Sequence, residues 1–369
     1  MTEQESFSEK EYLFYISHAA AIGAVTIHQL KEQFHTFERV WKTSEQELKQ
    51  CSFMDKKRLL GLAECKIKEE SYKREYDRLQ REDIRYITYW ENDYPERLQC
   101  FRDKPPALFV KGKLPEDDTP TAAIVGARNC TAYGRQTAEY LARELSRAGI
   151  SVISGLALGV DGAAHRGCLE AGGETYAVLG CGVNICYPKE NYRLFEEVVS
   201  RGGVISELLP GTIPSSMHFP MRNRIISGLS DAVIITEARE KSGSLITGDL
   251  ALEQGKEVFA VPGRVNDPLS AGCNRLIRSG AAICLGVEDV LEFYGMKYRK
   301  SMDENKKSEK RLAKREKLVY SFLDSRPKSL EEIVKNCQIS VSEAMESLME
   351  LELLGMIQSE GNQYYCRKI

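Results

Sequence analysis

From residue 121 onward the chain alternates two hydrophobic rhythms: short continuous apolar runs, and longer segments whose apolar positions recur at helical spacing. The runs are AAIVGA, SVISG, TYAVLG, GVISE, AVIITEA, EVFAVPG and AAICLG. A strand that is apolar throughout is buried on both faces, and strands separated by helices run parallel with helices packed on either side. The pattern predicts an α/β domain, an extended Rossmann-like doubly wound sheet, over residues 121–296.

The flanks follow other rhythms. Residues 1–80 read as a small helical domain, because apolar positions in IGAVTIHQLKEQFHTFERVWKTSEQELKQC return at helical spacing. Within it, Thr43-Ser44 offers a helix cap with Glu47 three positions past Ser44. The charged run KIKEESYKREYDRLQRED at 66–83 reads as a solvated helix leading away. Residues 81–120 form a proline-bearing connector with one short strand at ALFVKG, and 297–316 is too polar for core and reads as a charged linker. Residues 317–369 hold three helical segments and then IQSEGNQYYCRKI with a Gly-Asn hairpin turn, the order of a winged-helix domain. The third of those helices would enter a DNA groove, yet it carries Glu343, Glu346, Glu350 and Glu352 and no Lys or Arg. Phosphates would repel it, so this domain is expected to contact protein or to regulate the rest of the chain.

Composition alters this picture little. In 369 residues, 42% hydrophobic and 28% charged content are ordinary for globular proteins, and a net charge of −3 announces no polyanion partner. Any such site must be a local gathering of cations. No apolar segment approaches a membrane span, and MTEQESFSEKEYLF has no basic-then-apolar secretory pattern. The closest of the 11 cysteines, Cys181 and Cys186, have no second pair or histidine cluster beside them. Free thiols in a reducing cytoplasm are the expectation.

In a doubly wound sheet the ligand lies beyond the carboxyl ends of the strands, so the residues after each run carry the functional reading. Gly126 lies at the end of the first run with Arg128 just after it, Ser154 and Gly155 close the second, and Lys189 and Tyr192 follow the third. Arg222, Asn223 and Arg224 stand just ahead of AVIITEA, Ser242, Gly243 and Ser244 follow it, and Arg264 follows EVFAVPG. Glycines let a ligand approach the backbone, and amide hydrogens at a helix start attract anions. Each residue also has a plainer reading. Ser244 fits a simple N-cap, any one arginine fits a pair with Glu207, Glu237 or Asp231, and Tyr192 fits core packing as well as base stacking. It is the convergence of so many cations on one edge that favours a phosphate-holding site.

Missing motifs narrow the chemistry. GARNCTAYG is neither a GxGxxG dinucleotide fingerprint nor a GxxxxGK[ST] phosphate loop, and no HExxH pair or nucleophile elbow occurs. Asp161 and His165, four apart, share a helix face and form a pair without a third ligand, which suits a helix-start carboxylate and a packed histidine better than catalysis or metal.

Taken together, VGARNCTAYG, SGLALGVDGAAH, YPKEN, FPMRNRIISGLSDAVIITEAREKSGSLIT, VFAVPG and AGCNRLIRSGAA resemble the bacterial DNA-processing protein family DprA, also called Smf. YPERLQCFRDKPPALFVKG and the helical N-terminal region are similar to that family too, whose N-terminal part is of the sterile-alpha-motif or helix-hairpin-helix kind. The resemblance implies a cytoplasmic, non-catalytic homodimer of natural transformation that binds single-stranded DNA, protects it and loads the recombinase RecA, with no cofactor. By motif, Arg128, Lys189, Arg222, Asn223, Arg224, Ser242 and Gly243 are the positions expected to touch DNA, with Tyr192 as a stacking platform. One departure is Ala127, where the family often has serine before the arginine. The alternative, a hydrolase related to the nucleotide phosphoribohydrolases, is expected to show PGGxGTxxE. The comparable stretch here, EAREKSGSLITGDLA, lacks the paired glycines and the glutamate.

Overall fold

The computed structural model describes residues 3–297, 312–324 and 326–367. The chain opens with six helices: α1 (Glu3–Ile16), α2 (Ala24–Phe34), α3 (Phe37–Lys42), α4 (Glu45–Leu48), α5 (Lys56–Ile67) and α6 (Glu69–Arg81). Local signals set their starts. Ser44 caps α4 by accepting the Glu47 N–H, as its spacing predicts, and Thr36 and Asp55 do the same for α3 and α5. Leu13, Ile16, Leu30, Phe37 and Leu62 form a core that continues without a break into Phe109, Ala177 and Val204 of the sheet, so the helical region is packed onto the α/β domain.

That domain starts earlier than its apolar rhythm suggests. Within the proline-bearing stretch lie β1 (Arg85–Thr88), α7 (Glu96–Gln99) and β2 (Ala107–Gly112), and both strands belong to the main sheet. There follow β3 (Thr121–Val125), α8 (Ala132–Arg147), β4 (Ser151–Ser154), α9 (Val160–Glu170), β5 (Thr175–Val178), α10 (Tyr192–Arg201), β6 (Gly203–Ser206), α11 (His218–Gly228) and β7 (Ala232–Ile235). The domain closes with α12 (Gly243–Glu253), β8 (Glu257–Ala260), α13 (Ala271–Arg278), β9 (Ala282–Ile283) and α14 (Val287–Phe293).

The nine strands order as β1-β2-β6-β5-β4-β3-β7-β8-β9. From β6 to β9 all neighbours are parallel, whereas β1 and β2 pair antiparallel with each other and β2 antiparallel with β6. Two apolar layers sandwich the sheet, one centred on Ile153, Val178, Ile205 and Val233, the other on Ile124, Val152, Val160 and Ile234. The chain winds from β3 through β4 to β6 on one side and then returns to β7 on the other. The switch point of the sheet therefore falls between β3 and β7, where a crevice opens at the carboxyl ends.

Past the α/β domain, the charged stretch expected at 297–316 lies mostly outside the described residues. Its last part is helical, opening α15 (Lys314–Phe322). The tail adds β10 (Lys328–Ser329), α16 (Leu330–Cys337), α17 (Val341–Leu353), β11 (Ile357–Ser359) and β12 (Tyr364–Arg367), with the strands ordered β10-β12-β11. Ser329 and Ser340 start α16 and α17 with reciprocal capping boxes to Glu332 and Glu343. The Gly361-Asn362-Gln363 turn runs at positive φ, a conformation that glycine adopts at least cost, and closes the hairpin foreseen there. The wing leans on α8, where Arg135 meets Glu360 at 3.3 Å and Gln136 donates to Cys366. All eleven cysteines are free, and among the described residues no helix is long and apolar enough to cross a membrane.

Candidate functional site

The crevice at the switch point is a cavity of about 460 Å³. Its walls come from the loop after β3, the first turns of α9 and α11, and the loop from β7 into α12. One carboxylate holds the two central loops together. Glu237, buried after β7, accepts the Thr131 N–H at 2.8 Å and its hydroxyl at 2.5 Å, while its own carbonyl accepts the Ala127 N–H at 2.7 Å. Thr131 in turn caps α8 by accepting the Gly134 N–H at 3.1 Å. A Cβ at Gly134 would meet that carboxylate at 2.4 Å, so glycine is required for the lock to close. The loop carrying Gly126 and Arg128 is thereby fixed before any ligand arrives.

Arg222 occupies the floor. It is 5% exposed, its Nη1 is 4.0 Å from Asp161 Oδ2, and neither Nε nor Nη1 makes a hydrogen bond within the protein. A buried, unsatisfied guanidinium is costly unless an anion completes it. Burial pulls Arg222 below its ordinary range, Asp161 draws it back up, and the nearby Arg128 pushes it down again. Burial likewise raises Asp161, against the pull of Arg222. Gly155 makes room for this residue, since a Cβ there would sit 1.4 Å from Arg222 Nη1.

The walls are cationic and rich in backbone donors. Arg128, exposed at the rim, lays its guanidinium 4.7 Å from the Phe219 ring centroid, and Arg222 lies 5.9 Å from the same ring. Ser242 caps α12, its hydroxyl 2.8 Å from that of Ser244, and leaves the helix start facing the cavity with Gly243 open beside it. Asn223 anchors that turn by donating to the Gly243 carbonyl at 3.2 Å. Arg239 and Lys241 also line the cavity, so four cations stand against the single carboxylate of Asp161. A helix start with convergent cations suits a phosphate.

The structure thus brings together Gly126, Arg128, Arg222, Asn223, Ser242, Gly243 and Ser244, with Gly155 behind them. Arg224 stands apart from this group. It lies two residues from Arg222, about 200° around α11 at 3.6 residues per turn, and so points away from the crevice. There it is ion-paired with Glu207 and reaches Asp103 at 3.5 Å, one of the internal pairings left open by sequence. Ser154 is fully buried and donates to the Ile124 carbonyl at 2.6 Å, which leaves it a structural role. Arg264 is exposed in a separate cleft beside Tyr133, Arg326 and Pro327. Lys189 and Tyr192 stand outside the cavity, at a short turn over Lys189–Asn191 and at the start of α10. Tyr192 is exposed rather than packed.

Sequence reasoning missed Arg239, Lys241, Asn191 and Phe219. The two cations could be found in REKSG, immediately ahead of a helix-start serine. Asn191, buried, donates to the carbonyls of Leu156 and Ala157 and so pins the Lys189 turn against the β4–α9 loop. His165, fully buried, bonds Thr175 Oγ1 through Nδ1, and burial pulls its pKa down to about 3, helped by Arg166 and Arg222. It is a neutral, packed histidine. Among the described residues no cluster of His, Cys, Asp or Glu could hold a metal.

Fold and site together define a Rossmann-like protein with a cationic crevice at its switch point and a winged-helix appendage. The sequence model described as DNA recombination-mediator protein A matches residues 85–295, and the one described as DprA winged helix domain matches 304–363. The chain belongs to the DprA/Smf family. It is 44% identical to the DNA processing protein DprA of Bacillus subtilis over 57% of this chain and 71% of that one. It is 28% identical to the protein Smf of a Synechocystis strain over 98% and 99%. Among solved structures, DNA processing protein A from Streptococcus pneumoniae superposes with a TM-score of 0.66 at 32% identity, covering 78% of this chain and 99% of that one. The Helicobacter pylori protein, whose structure is described as revealing a single-stranded DNA binding mode, gives 0.52 at 34% identity, covering 57% and 95%.

Proposed function

We propose that the chain binds single-stranded DNA along the carboxyl edge of its sheet and performs no chemistry on it. The observation that carries this reading is Arg222, a buried guanidinium with two unpaired nitrogens, set below a helix start and a rim of three further cations. A phosphate at that point completes the arginine and accepts from the α12 backbone, and neither contact reads sequence. Tyr187, exposed and tilted against Phe219 with centroids 6.1 Å apart, offers an aromatic surface for an unpaired base beside the phosphate, with Tyr192 a second. Asp161 is committed to Arg222 and His165 to Thr175, which supports holding over bond-breaking. The described single-strand binding of the Helicobacter pylori relative supports the same ligand.

In this reading the protein acts in the cytoplasm during natural transformation, as a homodimer that shelters incoming strands and loads RecA onto them. The discriminating experiment is a titration of a labelled oligonucleotide and its duplex. A preference for the strand of at least about tenfold, roughly 1.4 kcal/mol, is expected. Equal or tighter duplex binding contradicts the reading, as does release of free base from a nucleoside monophosphate. The recombinase step predicts a shortened lag in RecA filament assembly when the chain is added.

A further inference from the structure

Helix α17 carries two apolar rows. Ala344, Leu348 and Leu351 are buried in the wing's own core. A second row, Val341, Met345, Met349 and Leu353, is 57%, 40%, 65% and 85% exposed. Four-residue spacing makes a ridge of the kind that seats in the groove of another helix, crossing at about −50° in the commonest packing class. Scattered exposed apolar residues mean little, but a continuous ridge of them along one helix marks a contact surface, and methionine adapts its shape to what it meets.

The borders of the ridge specify the partner. At about 100° per residue, Glu346 and Glu350 flank it on one side and Glu352 on the other. Arg315 from α15 already reaches Glu346 at 2.8 Å and Glu343 at 3.7 Å, so this surface accepts guanidinium groups. We propose that the exposed face of α17 docks an amphipathic helix of another protein, one with an apolar ridge flanked by Lys and Arg. A second copy of the chain would set glutamate against glutamate, and duplex DNA or an anionic membrane would be repelled by the same border.

A phage-displayed library of random peptides about 16 residues long, roughly four helical turns, selected on the full chain, tests this. Enriched peptides are expected to carry apolar residues at helical spacing with Lys or Arg between them. They are expected to bind a Met345→Gln/Met349→Gln variant at least about tenfold more weakly. Charge reversal by Glu346→Lys/Glu350→Lys is expected to swing selection toward Asp- and Glu-flanked peptides. No enrichment, enrichment without basic flanks, or binding to the Met345→Gln/Met349→Gln variant as tight as to the parent chain overturns the proposal. So does a dimer in light scattering, or binding to phosphatidylserine vesicles, that the glutamine variant abolishes.

Discussion

The crevice between β3 and β7 and the exposed face of α17 are both places where their folds meet ligands, and they are built in opposite senses. The crevice has a buried cation, backbone donors and a cationic rim around one carboxylate. Helix α17, in the position of a DNA-reading helix, shows methionine, leucine and glutamate instead. Topology says where a ligand can sit; the charge and burial of the side chains there say what it is. The same lesson repeats within α11. Arg222 and Arg224 are chemically identical and two residues apart, yet one is left open to an anion and the other is closed by Glu207 and Asp103.

The largest effect is expected from Arg222→Gln, which removes a charge-assisted contact in a buried site. Affinity for a single-stranded oligonucleotide should fall roughly a hundredfold, about 2.7 kcal/mol, in an anisotropy titration. Gly155→Ala should reproduce much of this loss with every cation still present, because the added methyl occupies the guanidinium's place. Arg224→Gln reverses the pattern. It should lower the free energy of unfolding by about 2 kcal/mol in urea, by stranding Glu207, and change oligonucleotide affinity less than about twofold.

A pH series reaches the floor of the crevice from behind. Folded His165 stays neutral down to about 3, whereas its unfolded counterpart takes up a proton near pH 6.5. Between those values the unfolded state holds the extra proton, so stability is full above about pH 6.5 and declines as pH drops, by up to about 1.4 kcal/mol per unit. Asp161, raised by burial, works in the opposite direction near its own titration. His165→Gln should therefore show a shallower loss of stability between roughly pH 6.5 and 5 than the parent chain, whatever its absolute stability. The smallest effect is expected on the wing, where Glu346→Lys/Glu350→Lys should alter single-strand affinity by less than about twofold.

Much of the architecture was legible because a buried parallel strand has an unmistakable pattern. Each apolar run from AAIVGA to AAICLG became one of the strands β3 to β9. What escaped was structure without that pattern. Strand β1, RYIT, is short and mixed in polarity, and its place in the sheet comes from antiparallel pairing with β2. Strand β10 has only two residues. The site was half legible for a related reason. Gathering loops at one edge follows from topology, but the phase of α11 decides which arginine faces inward, and that phase is set by where the helix begins, at His218. Arg239 and Lys241 went unassigned because the loop after β7 has no periodicity to show which way it turns.

The proposed function has phosphate gripped at Arg222 and not at Arg224. The most direct test is the salt dependence of oligonucleotide affinity for the parent chain and for Arg222→Gln and Arg224→Gln. A slope of log affinity against log salt that is shallower by about 0.7 for Arg222→Gln and unchanged for Arg224→Gln is the expected result. An unchanged slope for Arg222→Gln, or an equal drop in both variants, would contradict it.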